Sequence, residues 1–244
     1  IEVEDIDTRE VLESDIRFEK IVDYIIRYHP QKSHNKDYTA IFTVGSIENL
    51  IRYYQLFKKK REAGEHDLRI ATIYTYGANE EDADAKGYLP SEMNELDMAA
   101  EGVPVYQSAH TREKLDEFMQ DYNKLYGTNF NTHDQKLFEG YFKDISKRIK
   151  EREKQNFKDK DRVDILLVVS MFLTGFDAKK VNTLYVDKNL CYHGLIQAFS
   201  RTNRILTEQK SQGNILCFRN LKAATDEAIA LFSNKEAKEV IFTP

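Results

Sequence analysis

Apolar residues first recur at mostly helical spacing, at Val11, Ile16, Phe18, Ile21, Val22, Ile25 and Ile26, among many acids. The pattern predicts a helix up to about His29, ending before Pro30. After a polar stretch the period changes. Tyr38-Thr-Ala-Ile-Phe-Thr-Val44 is short, apolar and β-branched, and Gly45-Ser46 leads into an amphipathic run through Lys60. A strand, a turn and a helix are expected there. Leu68 to Tyr74 repeats the strand signature just after Gly64, which completes a β-α-β unit and predicts a parallel sheet with a right-handed crossover.

Between Gly77 and Glu101 this patterning stops. Glu80, Glu81, Asp82 and Asp84, then Glu92, Glu95, Asp97 and Glu101, face only Lys86, and the segment reads as a solvated insertion. Helical spacing returns from Thr111 to Tyr126 and from Thr132 to about Asn156, with Thr132 and Asp134 as candidate caps. The tail from Lys143 to Arg162 is rich in Lys and Arg, and it reads either as a water-facing helix and linker or as a phosphate-contacting face. Asp164-Ile-Leu-Leu-Val-Val-Ser170 is the most hydrophobic short stretch and has the length of a strand buried on both faces, expected at the centre of the sheet. Two further strands, Thr183 to Asp187 and Gly213 to Phe218, flank a helix from Gly194 to Ile205, and a helix from about Leu221 to Phe232 follows. The sum is an α/β chain with an open, mainly parallel sheet and helices on both faces, in which sites sit at the carboxyl ends of strands.

With 244 residues, the chain makes one large domain or two small ones. Its 41% hydrophobic and 32% charged content excludes a disordered chain and a collagen-like repeat, and no apolar run approaches the roughly 20 residues of a transmembrane helix. A net charge of −5 argues against coating nucleic acid by bulk charge but leaves a local basic face open. Cys191 and Cys217 form no disulfide framework and fit a reducing compartment, so a cytoplasmic protein is expected. The chain opens at Ile1 with neither an initiator Met nor a signal-peptide pattern and reads as a piece excised from something longer.

Three loops at predicted strand ends carry candidate chemistry. Thr43-Val-Gly-Ser46 joins small hydroxyl residues to a helix start, which either receives a phosphate on backbone N–H groups or is an ordinary cap at Ser46. In Leu173-Thr-Gly-Phe-Asp177, Gly175 permits a sharp turn, and Thr174 and Asp177 add an acceptor, a donor and a charge. In Gln197-Ala-Phe-Ser-Arg-Thr-Asn-Arg204, a continuous helix would put Gln197, Arg201 and Arg204 on one face, so that two guanidinium groups converge on one polyanion. Arg suits phosphate because its planar fork makes paired hydrogen bonds and stays charged.

Together these loops resemble motifs IV, V and VI of superfamily 2 helicases, in the second RecA-like domain. The string LTGFDAKKVNTLYVDKNLCYHGLIQAFSRTNRI resembles, more narrowly, the motor region of the restriction (R) subunit of type I restriction-modification enzymes, as do GNILCFRNLKAATDEAIALF, YNKLYG and FEGYFKDISKRIK. Ser200 stands where many helicases carry Gly. The resemblance implies a RecA-like fold over 37–220 with an insertion at about 77–160, a helical lead-in over 1–36, and a helix over 221–244 leading to a next domain. It implies that Arg204 is an arginine finger, that Arg201 assists it, and that Gln197 orients the motif. Gly175 and Asp177 would couple the nucleotide to the DNA path, while Thr43, Ser46 and Thr174 would touch the DNA backbone. Double-stranded DNA, the methylation and specificity subunits, and a preceding RecA-like domain in cis are the implied partners.

No G-x-x-x-x-G-K-[ST] and no DEAD-type acidic strand end occur. The chain is thus expected to supply half of an ATPase site, with ATP and Mg²⁺ held mainly by the preceding domain, and to hydrolyse no ATP alone. The six histidines show no metal-ligand pairing, so no metal site is expected. The loose match of Asp226, Glu236 and Lys238 to a nuclease pattern is set aside as cheap in so charged a chain. Another superfamily 2 helicase or remodeller, or a non-catalytic scaffold of the same fold, are the competing readings.

Overall fold

The computed structural model describes residues 8–74, 105–173, 176–203 and 212–241, with side chains described except at 8–10, 105–109, 193 and 232–241. Five strands, β1 (Thr39–Val44), β2 (Ile70–Thr72), β3 (Ile165–Val168), β4 (Val181–Asp187) and β5 (Asn214–Cys217), form one sheet. Its order is β2-β3-β1-β4-β5 and every neighbouring pair is parallel. The helices are α1 (Thr8–Glu13), α2 (Asp15–Lys32), α3 (Ile47–Glu62), α4 (Val105–Tyr126), α5 (Gln135–Glu151), α6 (Tyr192–Ser200) and α7 (Lys222–Ile241). This is the open, parallel α/β architecture that the patterning predicts, and it agrees with the RecA-like fold that the resemblance implies. The acidic segment from Gly77 to Glu101 lies outside the described residues.

Every residue of β1, β3 and β4 is buried, as strands covered on both faces require. The centre of the sheet is β1, however, and β3 lies one place off it, because β3 inserts between β1 and β2. Phe42 and Tyr185 are register neighbours on one face, and α2 and α3 cover them. Phe18 meets Tyr53 at 4.5 Å and Tyr53 meets Phe42 at 4.8 Å between ring centroids. Burial of each such ring contributes roughly 1.5–3 kcal/mol. The segment expected as a lead-in thus packs into the core of the sheet through Phe18, Ile21, Val22 and Ile25.

Element ends differ from expectation where side chains supply the missing bonds. Helix α2 runs past Pro30 to Lys32, and His29 O accepts both the Ser33 N–H at 2.8 Å and the Ser33 hydroxyl at 2.7 Å. Gly64 at φ +78° closes α3 in the left-handed conformation that a helix terminus favours. Asp134 is the cap of α5, accepting from Lys136 N at 2.7 Å, whereas Thr132 bonds Asp116 instead. In the basic tail, Arg148 pairs with Asp144 and Asp161 and lies over the Tyr126 ring. Arg152 and Arg162 converge on the buried Asp164 at the amino end of β3. These three arginines are therefore structural, while Lys158 and Lys160 face water.

His29 is fully buried, with Nδ1 3.4 Å from the Tyr185 hydroxyl and no partner for Nε2 among the described residues. Burial first, then the charges of Arg152 and Lys36, push it from 6.5 down to about 3. The fold thus favours the neutral ring, so the unfolded chain binds the extra proton below pH 6.5 and stability falls as pH drops toward 3. At pH 5 the loss is about 2 kcal/mol, at about 1.36 kcal/mol per unit. Urea unfolding at pH 7.5 and pH 5.0 checks this: the wild type should lose about 2 kcal/mol more than His29→Leu. Equal pH dependence in the two would refute the assignment.

Candidate functional site at the carboxyl ends of the strands

All strands point the same way, so the segments after β1, β3, β4 and β5 open on one edge, where α/β sheets place their sites. After β1, Ser46 adopts φ −146° and ψ 164°, and its hydroxyl accepts from Asn49 N at 3.1 Å. The cap reading of Ser46 is realised. The Thr43 hydroxyl points inward and donates to Val169 O at 2.7 Å, with the residue fully buried. Its side chain therefore presents nothing to a DNA backbone, contrary to what the resemblance implies; it ties β1 to the segment after β3.

The segment after β3 is shaped by aromatic packing. Phe172 is fully buried at φ +66°, a left-handed conformation that is uncommon for a bulky side chain. Its ring stacks on Phe142 of α5 at 4.9 Å and meets Phe176 edge-on at 4.6 Å. Asp177 is exposed, and Thr174 and Gly175 lie outside the described residues. The buried Lys188, just after β4, reaches Ser170 Oγ at 3.0 Å and holds the start of this segment.

Helix α6 stops at Ser200 rather than continuing to Ile205. Its last carbonyls are taken by side chains: Ser200 Oγ donates to Gln197 O at 2.7 Å, and Thr202 Oγ1 to Phe199 O at 3.2 Å. Such bonds compete with helix continuation. Gln197 is exposed on α6, and Arg201 is the residue that closes it. Arg201 Nη1 donates to Phe176 O at 2.6 Å and Nε to Gln197 O at 3.1 Å, so the segment after β3 and the end of α6 are joined. The helical alignment of Gln197, Arg201 and Arg204 does not extend through Arg201, and Arg204 lies outside the described residues. The turn at Thr202 is pressed against Gly213 at the entry to β5, where a Cβ would sit 2.6 Å from Thr202 O.

Asp187, at the end of β4, is heavily bonded. It accepts from Tyr53 Oη at 2.6 Å, Arg17 Nη1 at 3.0 Å and Arg219 Nε at 3.2 Å, and Arg17 Nη2 is also bound. Burial alone would raise its pKa, but the bonds from Arg17 and Tyr53 and the charge of Arg219 hold it below the ordinary carboxylate value. Its oxygens are filled, so it offers nothing to Mg²⁺. Among the described residues no group of three or more His, Cys, Asp or Glu side chains comes together to hold a metal.

A family model described as "Type I restriction enzyme subunit R domain 3" matches residues 36–220. The chain belongs to the R subunits of type I restriction enzymes. It is 44% identical over 98% of its length to a type I restriction enzyme endonuclease subunit of Staphylococcus aureus, of which it covers 23%. It is 47% identical over 96% of its length to such a subunit of Staphylococcus saprophyticus, covering 22% of it. A putative type I restriction enzyme endonuclease subunit of Methanocaldococcus jannaschii is 25% identical over 98% of the chain. The R subunit chain thus spans less than a quarter of the length of these relatives. No helix among the described residues is long and apolar enough to cross a membrane.

Sequence reasoning on this R subunit missed Asp187, Lys188 and Phe172. Two charges ending the apolar run Thr183-Leu-Tyr-Val were a signal, since a strand buried on both faces admits charge only where it is bonded. Arg17, 170 positions from Asp187, carried no such signal.

Proposed function

We propose that the chain is the second RecA-like motor domain of its R subunit, working in ATP-dependent translocation on double-stranded DNA ahead of cleavage. The observation that carries this reading is the joining of the segment after β3 to the end of α6 by Arg201 and Phe176 O, at the sheet edge where nucleotide sites form. Of the described motif residues, Asp177 lies in the segment after β3 and Gln197 on α6. Arg204 supplies the arginine finger to a site shared with the preceding RecA-like domain, which holds ATP and Mg²⁺. In this reading the chain contributes the arginine and the preceding domain the metal ligands; consistent with that division, the Asp187 oxygens at the end of β4 are taken by Tyr53, Arg17 and Arg219. Gln197 orients the α6 motif, and Gly175 and Asp177 link nucleotide state to the DNA path. Ser46 and Thr174 are assigned to contacts with the DNA backbone, which carry no base information and so suit movement along any sequence. Sequence recognition and modification fall to the specificity and methylation subunits.

The test is ATP turnover by the complete R subunit assembled with its partner subunits, with and without duplex DNA. Stimulation of tenfold or more is expected, and this chain alone should turn over no ATP at an enzymatic rate. Equal turnover with and without DNA would overturn the motor reading.

A further inference from the structure

We infer that Arg201 is a positioning residue that locks the segment after β3 to α6, and that it acts through the Phe176 carbonyl rather than on the transferred phosphate. The inference rests on the motor reading for its functional consequence but on geometry for the lock itself. All three guanidinium nitrogens are engaged close to the backbone: Nη1 with Phe176 O at 2.6 Å, Nε with Gln197 O at 3.1 Å and Nη2 with Ser200 Oγ at 3.1 Å. A planar fork spans two carbonyls on different elements, which a single ammonium cannot do. The cation also sits at the carboxyl end of α6, where the helix dipole favours it.

The acceptor is held as firmly as the donor. Phe176 packs edge-on to Phe172, and Phe172 keeps its left-handed conformation between that ring and the stacked Phe142 of α5. A non-glycine residue persists there only where its surroundings over-determine it. Phe176 O therefore cannot follow a loose loop motion; it moves with α6 or the bond breaks. A displacement of α6 on nucleotide binding is transmitted to Phe176 and Asp177 through this bond, and α5 supplies the fixed wall.

The complete, assembled enzyme carrying Arg201→Lys tests this by two readouts. Amide exchange at Met171, Phe172, Leu173, Phe176 and Asp177 should rise at least tenfold, and the ratio of DNA-stimulated to basal ATP turnover should fall at least tenfold, with the KM for ATP within threefold. Phe142→Leu, which leaves the arginine intact, should raise exchange at the same amides. Unchanged exchange in Arg201→Lys, or a tenfold rise in KM with the stimulation ratio intact, would overturn the inference in favour of a phosphate ligand. If the wild type shows no stimulation by DNA, the motor reading fails while the exchange readout still decides the lock. If Arg201→Lys does not fold, unchanged exchange in Phe142→Leu overturns the inference and a tenfold rise supports it.

Discussion

Arg204→Ala in the assembled R subunit is expected to lower DNA-stimulated ATP hydrolysis by at least two orders of magnitude while nucleotide affinity stays within a few-fold. An arginine that meets the γ-phosphate only as charge develops on it acts on the transition state, and such fingers are worth roughly 10³–10⁵ in rate. A hundredfold loss corresponds to about 2.7 kcal/mol of barrier. Arg204→Lys is expected to recover little of it, because an ammonium keeps the charge and loses the paired donors. Steady-state turnover combined with equilibrium binding of a non-hydrolysable ATP analogue separates the two quantities. Unchanged turnover in Arg204→Ala would remove the finger and favour the scaffold reading, in which the arginines only serve the fold.

Asp187→Ala is expected to destabilise the fold by about 3–5 kcal/mol, the range for removing one partner of a buried ion pair. The carboxylate is 1% exposed, and its loss strands the Tyr53 hydroxyl together with the guanidinium groups of Arg17 and Arg219. Urea unfolding measures the cost, and the pairing of Arg17→Met with Asp187→Leu identifies its source. The double variant should be more stable than Asp187→Leu alone, because the stranded charge of Arg17 is gone. Additive losses would mean that the cluster is a set of independent contacts. The pH dependence gives a second check. The pKa of Asp187 lies below its unfolded value, so its contribution is present above about pH 4 and is lost as pH falls through the depressed value. His29 acts higher, from pH 6.5 downward, so acid unfolding should proceed in two windows that these variants remove separately.

The strands were legible because burial on both faces leaves an unmistakable run, as in Ile165-Leu-Leu-Val168 and Thr39–Val44. Helix ends were less legible. Whether α6 goes on past Ser200 depends on hydroxyls at Ser200 and Thr202 turning back on their own helix, a choice that apolar periodicity does not encode. At the candidate site, motif spacing identified the elements but not the direction of each side chain. Thr43 alternates with Phe42 along β1, and only the pairing of β1 with β3 reveals that its hydroxyl is spent on Val169 O. The Asp187 cluster joins four distant points of the chain, and no local pattern specifies such a junction.

The sheet order also bears on synthesis. Strand β1 lies between β3 and β4, both more than about 120 positions downstream, so its first pairing waits for the ribosome to deliver Ile165–Val168. At about 5–20 residues per second that interval is roughly 6–25 s. Throughout it, an apolar strand has left the exit tunnel with neither of its sheet partners yet made, so only α2 and α3, already synthesised, are at hand to cover it until the middle of its own sheet can close.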